Sequence, residues 1–216
     1  MIPIVPAIIP KSLEDLELSL DKVSFTDEVQ IDVVDGVFVP SVSWPYFPQG
    51  RPFEIEKKIK EFTVEIDLMV KNPIEEAKEW IEVGVEMLVF HIEELDYKSF
   101  KKFIDNTSIS VGVSVLNKTS FDNIIPYIEI SDYIQLMGIA EIGSQGQPFD
   151  SSVLDKIRLI KNKFPDKMIS IDGSVNKDTI ADLIEAGADR LISGSAILKS
   201  DNPLESYKKL LELTNI

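Results

Sequence analysis

The chain of 216 residues predicts one α/β domain over residues 1–216, a single closed parallel (β/α)8 or TIM barrel. Eight short apolar runs alternate with eight amphipathic segments along its whole length. The phrases Glu82-Val83-Gly84-Val85-Glu86-Met87 and Glu185-Ala186-Gly187-Ala188-Asp189-Arg190 repeat one helix-to-strand turn at two distant places. No linker, low-complexity run or charge block divides the pattern. An open doubly wound sheet is the alternative architecture, and eight near-regular units favour closure.

The first strand-like run, Ile4–Ile9, leads into amphipathic Leu13–Val23. The second, Val29–Val34, is interrupted by Asp32 and turned by Asp35-Gly36. A long segment from Phe38 to Pro52 follows, with four prolines and large aromatics, and reads as a lid or rim loop before the helix at Phe53–Lys60. Strand Thr63–Met69 precedes a helix at Pro73–Val83, opened by Pro73 and stopped by Gly84. Met87–His91 pairs with helix Tyr97–Ile104, Ser110–Val115 with Phe121–Ile128, and Tyr133–Met137 with Ser152–Lys163. Met168–Ile171 is followed by Asp178–Ala186, which Gly187 ends, and Arg190–Ser193 by Leu204–Leu213.

Composition narrows the function classes. A net charge of −15 opposes binding to nucleic-acid phosphates. No segment reaches the roughly 18 apolar residues of a membrane helix, and the start carries no basic region of a secretory signal. The absence of cysteine excludes disulfides and thiolate metal sites and fits a cytoplasmic protein. The 44% hydrophobic content is enough for a sizeable core. No Walker loop, dinucleotide fingerprint or His-rich zinc motif is present, so no organic cofactor is expected.

In such a barrel the chemistry lies at the carboxyl ends of the strands. Asp32 and Asp172 both sit in buried strand ends, where an acid is costly unless it is paired, metal-bound or functional. They suggest an acid/base pair facing one pocket, and Asp67 is a third acid in the same setting. Capping or structural pairing is the alternative for each, and for Asp35 turn-making is the better account. Glycine-bearing loops after strands six, seven and eight add a phosphate signal: Gly143, Ser144, Gln145 and Gly146, then Gly173 and Ser174, then Gly194 and Ser195. Their backbone N–H groups suit a phosphate without lysines, although glycine-serine turns are also common loop chemistry. His91, the lone histidine, is either a satisfied polar residue at the barrel rim or a catalytic one. Trp44, Tyr46 and Phe47 either shield a pocket or pack the loop onto the barrel.

The order of motifs resembles the ribulose-phosphate 3-epimerase family. The resemblance is carried by Pro6-Ala7-Ile8-Ile9, Asp32-Val33-Val34-Asp35-Gly36-Val37-Phe38-Val39-Pro40, Asp67-Leu68-Met69-Val70-Lys71-Asn72-Pro73 and Phe90-His91-Ile92-Glu93. It continues through Gly143-Ser144-Gln145-Gly146-Gln147-Pro148-Phe149, Ile171-Asp172-Gly173-Ser174-Val175-Asn176 and Gly194-Ser195-Ala196-Ile197. It implies a cytoplasmic homo-oligomer acting on a phosphorylated ketose, with D-ribulose 5-phosphate the leading candidate. Asp32 and Asp172 match the two aspartates that exchange the C3 proton on opposite faces. The two histidines that complete the family's metal site are Gln30 and Asp67 here, a family serine is Ala7, and a doubled glycine is Gly173-Ser174. The implied metal set is therefore Gln30, Asp32, Asp67 and Asp172, all oxygen donors if Gln30 contributes its amide oxygen. Such a set favours manganese or magnesium over zinc. The competing outcome is a site without metal in which Asp67 bonds a neighbouring carboxylate, in a silent family member that binds a sugar phosphate or a protein partner.

Overall fold

The computed structural model describes residues 1–215. Eight parallel strands close in sequence order: β1 (Ile4–Ile8), β2 (Glu28–Val34), β3 (Thr63–Met69), β4 (Met87–His91), β5 (Ser110–Val115), β6 (Tyr133–Met137), β7 (Met168–Asp172) and β8 (Arg190–Ser193). The intervening helices are α1 (Leu13–Lys22), α2 (Glu56–Ile59), α3 (Pro73–Glu82), α4 (Tyr97–Ile104), α5 (Phe121–Ile130), α6 (Ser152–Lys163), α7 (Ile180–Ala186), α8 (Ser195–Leu198) and α9 (Pro203–Glu212). The barrel expected from the pattern is thus the observed fold. No helix among the described residues is long and apolar enough to cross a membrane.

Nearly every strand residue is buried, but the two faces differ in chemistry. Along β2 and β3, Val29, Ile31, Val33, Val64, Ile66 and Leu68 join the apolar layer between sheet and helices. The alternate residues Gln30, Asp32, Glu65 and Asp67 point into the barrel, because side chains on a strand alternate with a period of two. Opposite strands meet there: Tyr133 on β6 reaches Glu65 on β3, and Gln30 on β2 reaches Asp172 on β7. The apolar layer drives collapse, and the interior is free to carry polar groups provided that they satisfy one another.

Differences from the expected elements are local. The helix expected at Phe53–Lys60 is a 3-10 turn at Pro52–Ile55 followed by α2. The helix expected from Asp178 starts at Ile180, because Asn176 first turns the chain: its side-chain oxygen accepts from the Asp178 N–H, and its backbone N–H donates to Thr179 Oγ1. The short α8, directly after Gly194, was not anticipated. Gly84 and Gly187 adopt φ of +95° and +114° just past α3 and α7, as stop signals should. The loop after β2 is a pinned rim loop rather than a free lid. Ser43 bonds both ends of the Val34 peptide unit, Trp44 N–H donates to the Pro10 carbonyl, and the Trp44 ring packs edge-on against Trp80. Phe47 stays 73% exposed.

Candidate active site

At the carboxyl end of the barrel, Asp32 and Asp172 are joined by one amide. Gln30 Nε2 donates to Asp32 Oδ1 at 2.8 Å and to Asp172 Oδ2 at 3.1 Å. Gln30 and Asp32 are two residues apart on β2 and so share the inner face, while Asp172 arrives from β7. Burial pushes the Asp32 carboxyl well above its usual range, and Asp172 and Asp67 push it further. Burial followed by the charge of Asp67 pushes Asp172 up to about 7, against the lowering effect of the Gln30 bond. Carboxylates crowded in a dry site repel one another, so burial and neighbouring charge favour the protonated form of each.

The third acid is set differently. Asp67 is fully buried, with His91 Nε2 at 3.0 Å from its Oδ1 and Gln135 Nε2 donating to its Oδ2 at 2.9 Å. Asp67 therefore bonds an imidazole and an amide. His91 is 1% exposed and lies below the rim, its ring tilted against Phe38 at 5.3 Å. Burial lowers its pKa, but the charge and hydrogen bond of Asp67 outweigh that and raise it overall.

The donor set fits a hard dication. One oxygen from each of Asp32, Asp67 and Asp172 lies within 4.8 Å of the others. Oxygens bound to one ion at about 2.0–2.6 Å lie no further apart than about twice that length, so the three can share one ion. Gln30 turns its nitrogen, not the expected oxygen, to the acids, because carboxylates are acceptors; its Oε1 is buried without a partner. A half-turn of that amide exchanges the two atoms and would add the oxygen ligand.

Above the acids opens a cavity of about 230 Å³. Asp32 and Asp172 reach its wall and Asp67 does not. Ala7, Ile9, Met69, Met137 and Ile139 form its apolar sides. Every glycine-loop residue singled out in the sequence also lines it: Gly143, Ser144, Gln145 and Gly146, Gly173 and Ser174, and Gly194 and Ser195. Gly173 has φ +95°, and a Cβ there would press on Ile139, so only glycine lets this turn close over the wall. Three side chains fasten the loop after β6 over the cavity. Ser41 Oγ donates to the Gly143 carbonyl at 2.5 Å, Gln145 Nε2 to the Ala7 carbonyl at 3.1 Å, and Ser174 Oγ to the Gln147 carbonyl at 2.5 Å. Trp44 and Phe47 take no part in this wall.

The sequence reading did not single out Gln135, or join His91 to Asp67. The signal was available: Gln135 interrupts an apolar strand just as Asp32 does, and in a covered strand such a residue faces the interior.

The family described as the ribulose-phosphate 3 epimerase family matches residues 3–198. Among curated relatives, a ribulose-phosphate 3-epimerase from Mycobacterium bovis is 29% identical, the match covering 96% of this chain and 90% of the relative. One from Aquifex aeolicus is 29% identical over 87% of this chain and 84% of its own. A solved structure of 3-hexulose-6-phosphate synthase from Salmonella typhimurium superposes with a TM-score of 0.71 at 15% identity, over 98% of this chain and 97% of that one, a likeness of fold alone.

Proposed function

The chain belongs to the ribulose-phosphate 3-epimerase family, and from that premise we propose that it inverts C3 of a phosphorylated ketose, D-ribulose 5-phosphate to D-xylulose 5-phosphate being the leading candidate. One observation carries the proposal: both Asp32 and Asp172 line a single cavity together with all three glycine loops. One carboxylate removes the C3 proton, leaving an enediolate, and the other, protonated, returns a proton to the opposite face. The reverse reaction exchanges the roles, so one proton enters for each that leaves. Acid and base must coexist at the working pH, and a carboxyl titrating near 7 suits that need. The bridging Gln30 amide holds the pair in register, and the apolar walls keep water from the reacting carbon. The phosphate is assigned to the backbone of Gly173-Ser174, Gly194-Ser195 and residues 143–146, where amides take the place of the missing cations.

Asp32, Asp67 and Asp172, with Gln30 after its half-turn, would hold a hard dication, manganese or magnesium in preference to zinc. When bound, such an ion supplies positive charge to the negative oxygens of the substrate. Metal analysis of chelator-treated and reloaded protein checks the preference; tight stoichiometric zinc on these residues would refute it.

The second reading, a silent member that only binds a sugar phosphate or a partner, is favoured by Ala7 and by the donor face that Gln30 turns to the acids. Solvent deuterium wash-in at C3 of a panel of ketose phosphates, with and without added divalent metal, separates the two. Incorporation into one of them supports the epimerase. Tight binding without incorporation supports the silent member. A phosphate-bearing ligand seated at the amino-terminal face would overturn the assignment of the phosphate loops.

A further inference from the structure

We infer that His91 and Gln135 form the outer shell of a cation site made by Asp32, Asp67 and Asp172, as positioning residues that aim the Asp67 carboxylate without touching the ion. The inference rests on the proposal that these acids take a hard dication, and does not depend on which sugar is turned over.

Asp67 is closed off from the cavity, so its carboxylate is approachable only from within the acid cluster. Each of its oxygens takes one donor from behind, His91 Nε2 on Oδ1 and Gln135 Nε2 on Oδ2. A carboxylate oxygen has two acceptor sites, so each keeps one free after these bonds. The same carboxylate offers an oxygen within 4.8 Å of those of Asp32 and Asp172. Two donors from different strands, β4 and β6, thus fix the plane of a carboxylate whose remaining acceptors serve the cluster.

The cost of this arrangement argues that it is kept for a ligand. His91 Nδ1 and Gln135 Oε1 are both buried without a partner, as is Gln30 Oε1 on the amide that touches the other two acids. Apolar residues in place of the whole set would pack here with no orphaned atoms. Gln30, 0% exposed, gives its nitrogen to Asp32 and Asp172 and keeps a buried oxygen without a partner, an oxygen that a half-turn of the amide would bring to the acids as a ligand. His91 is ill placed to be a ligand itself, since its Nε2 is occupied by Asp67 and its ring is held by Phe38. Hydrogen-bonded partners of metal ligands orient them, and their loss costs about 10- to 100-fold in metal affinity.

The test is titration of the whole protein with Mn²⁺ alone, followed by electron paramagnetic resonance and calorimetry at constant pH. Wild type should bind one ion, and His91→Leu and Gln135→Met should each weaken it about 10- to 100-fold. His91→Gln, whose amide can reach Asp67 Oδ1 as the imidazole does, should recover most of the loss. Electron spin-echo modulation on the wild type should show no nitrogen bonded directly to manganese, a readout that needs no variant to fold. Direct nitrogen coupling would make His91 a ligand and overturn the outer-shell assignment. So would affinities of His91→Leu and Gln135→Met within about threefold of wild type. Failure of the wild type to bind Mn²⁺ would overturn both this inference and the cation site beneath it, while the deuterium exchange assay would still decide the epimerase proposal on its own.

Discussion

Two polar layers lie inside one barrel, a few residues apart on the same strands. The lower one is closed. Arg190, on β8, donates through Nη1 to both oxygens of Glu65 at 3.1 and 2.9 Å and to Ser170 Oγ at 3.2 Å, and through Nε and Nη2 to Glu28 Oε1 at 3.0 and 2.5 Å. Tyr133 Oη completes it with a 2.7 Å bond to Glu65. No side-chain atom of this layer is left buried without a partner among the described residues. The upper layer, two residues further along β3 and β7, has three carboxylates, one imidazole and two amides, and leaves three atoms orphaned. β3 contributes Glu65 to the first and Asp67 to the second; β7 contributes Ser170 and Asp172. The lower layer spends its charges on each other, which makes it a structural plug. The upper layer holds negative charge in excess, which raises the pKa of Asp32 and Asp172 and groups three carboxylates that could hold a cation. The division matches the general asymmetry of such barrels, stability at the amino-terminal face and chemistry at the carboxyl-terminal one.

That division predicts opposite outcomes for substitutions in the two layers. The largest effect belongs to the upper one: Asp32→Asn or Asp172→Asn should each cut interconversion of the C3 epimers by about 10²–10⁴-fold, because the shape stays and one of the two proton carriers goes. Thermal unfolding of these variants should be unchanged or shifted upward, since a repelling buried acid has been neutralised. Near-normal epimerisation in either variant would end the two-base assignment. In the lower layer, Arg190→Met strands Glu65 as a buried, unpaired acid and should cost about 3–5 kcal/mol, read as a loss of roughly 6–20 °C in Tm. Epimerisation per folded molecule should stay within about tenfold of wild type. If it collapses like that of the aspartate variants while the fold survives, the two layers are not separate in function.

A smaller effect tests how tightly the plug is fitted. A Cβ at Gly112 would overlap the Tyr133 ring, so Gly112→Ala should destabilise by about 1–3 kcal/mol in denaturant titration. An unchanged midpoint would show that Tyr133 can shift without loss. The smallest effect lies outside the barrel. Lys209–Glu205 on α9 is an exposed pair, and Glu205→Gln should leave the unfolding midpoint almost unchanged and exchange untouched. A larger loss would mean that charge on the helical shell matters more than the interior contrast allows.

Much of this molecule is local, and local features are legible. Strand and helix order follows from apolar period and from stop residues such as Gly84 and Gly187, which need only their own neighbours to act. Asp32 and Asp172 announce themselves because each interrupts an apolar run at a strand end. The glycine loops do so by composition. His91 and Gln135 were not legible as a pair of donors to one acid. They lie 24 and 68 residues from Asp67, and their meeting depends on the stagger between strands.

The sequence by itself determined the barrel, the strand ends that bear acids and the loops that surround the cavity, because hydrophobic alternation and turn chemistry act over a few residues. Only the tertiary structure decided which polar side chains satisfy one another inside. Gln30 presents nitrogen to acids on β2 and β7, a choice set by a carboxylate 142 residues away. Asp67 is withdrawn from the cavity by donors on two other strands, while Arg190 closes the layer beneath it. Such pairings are settled where opposite strands face each other across the closed barrel, and no stretch of chain contains that geometry.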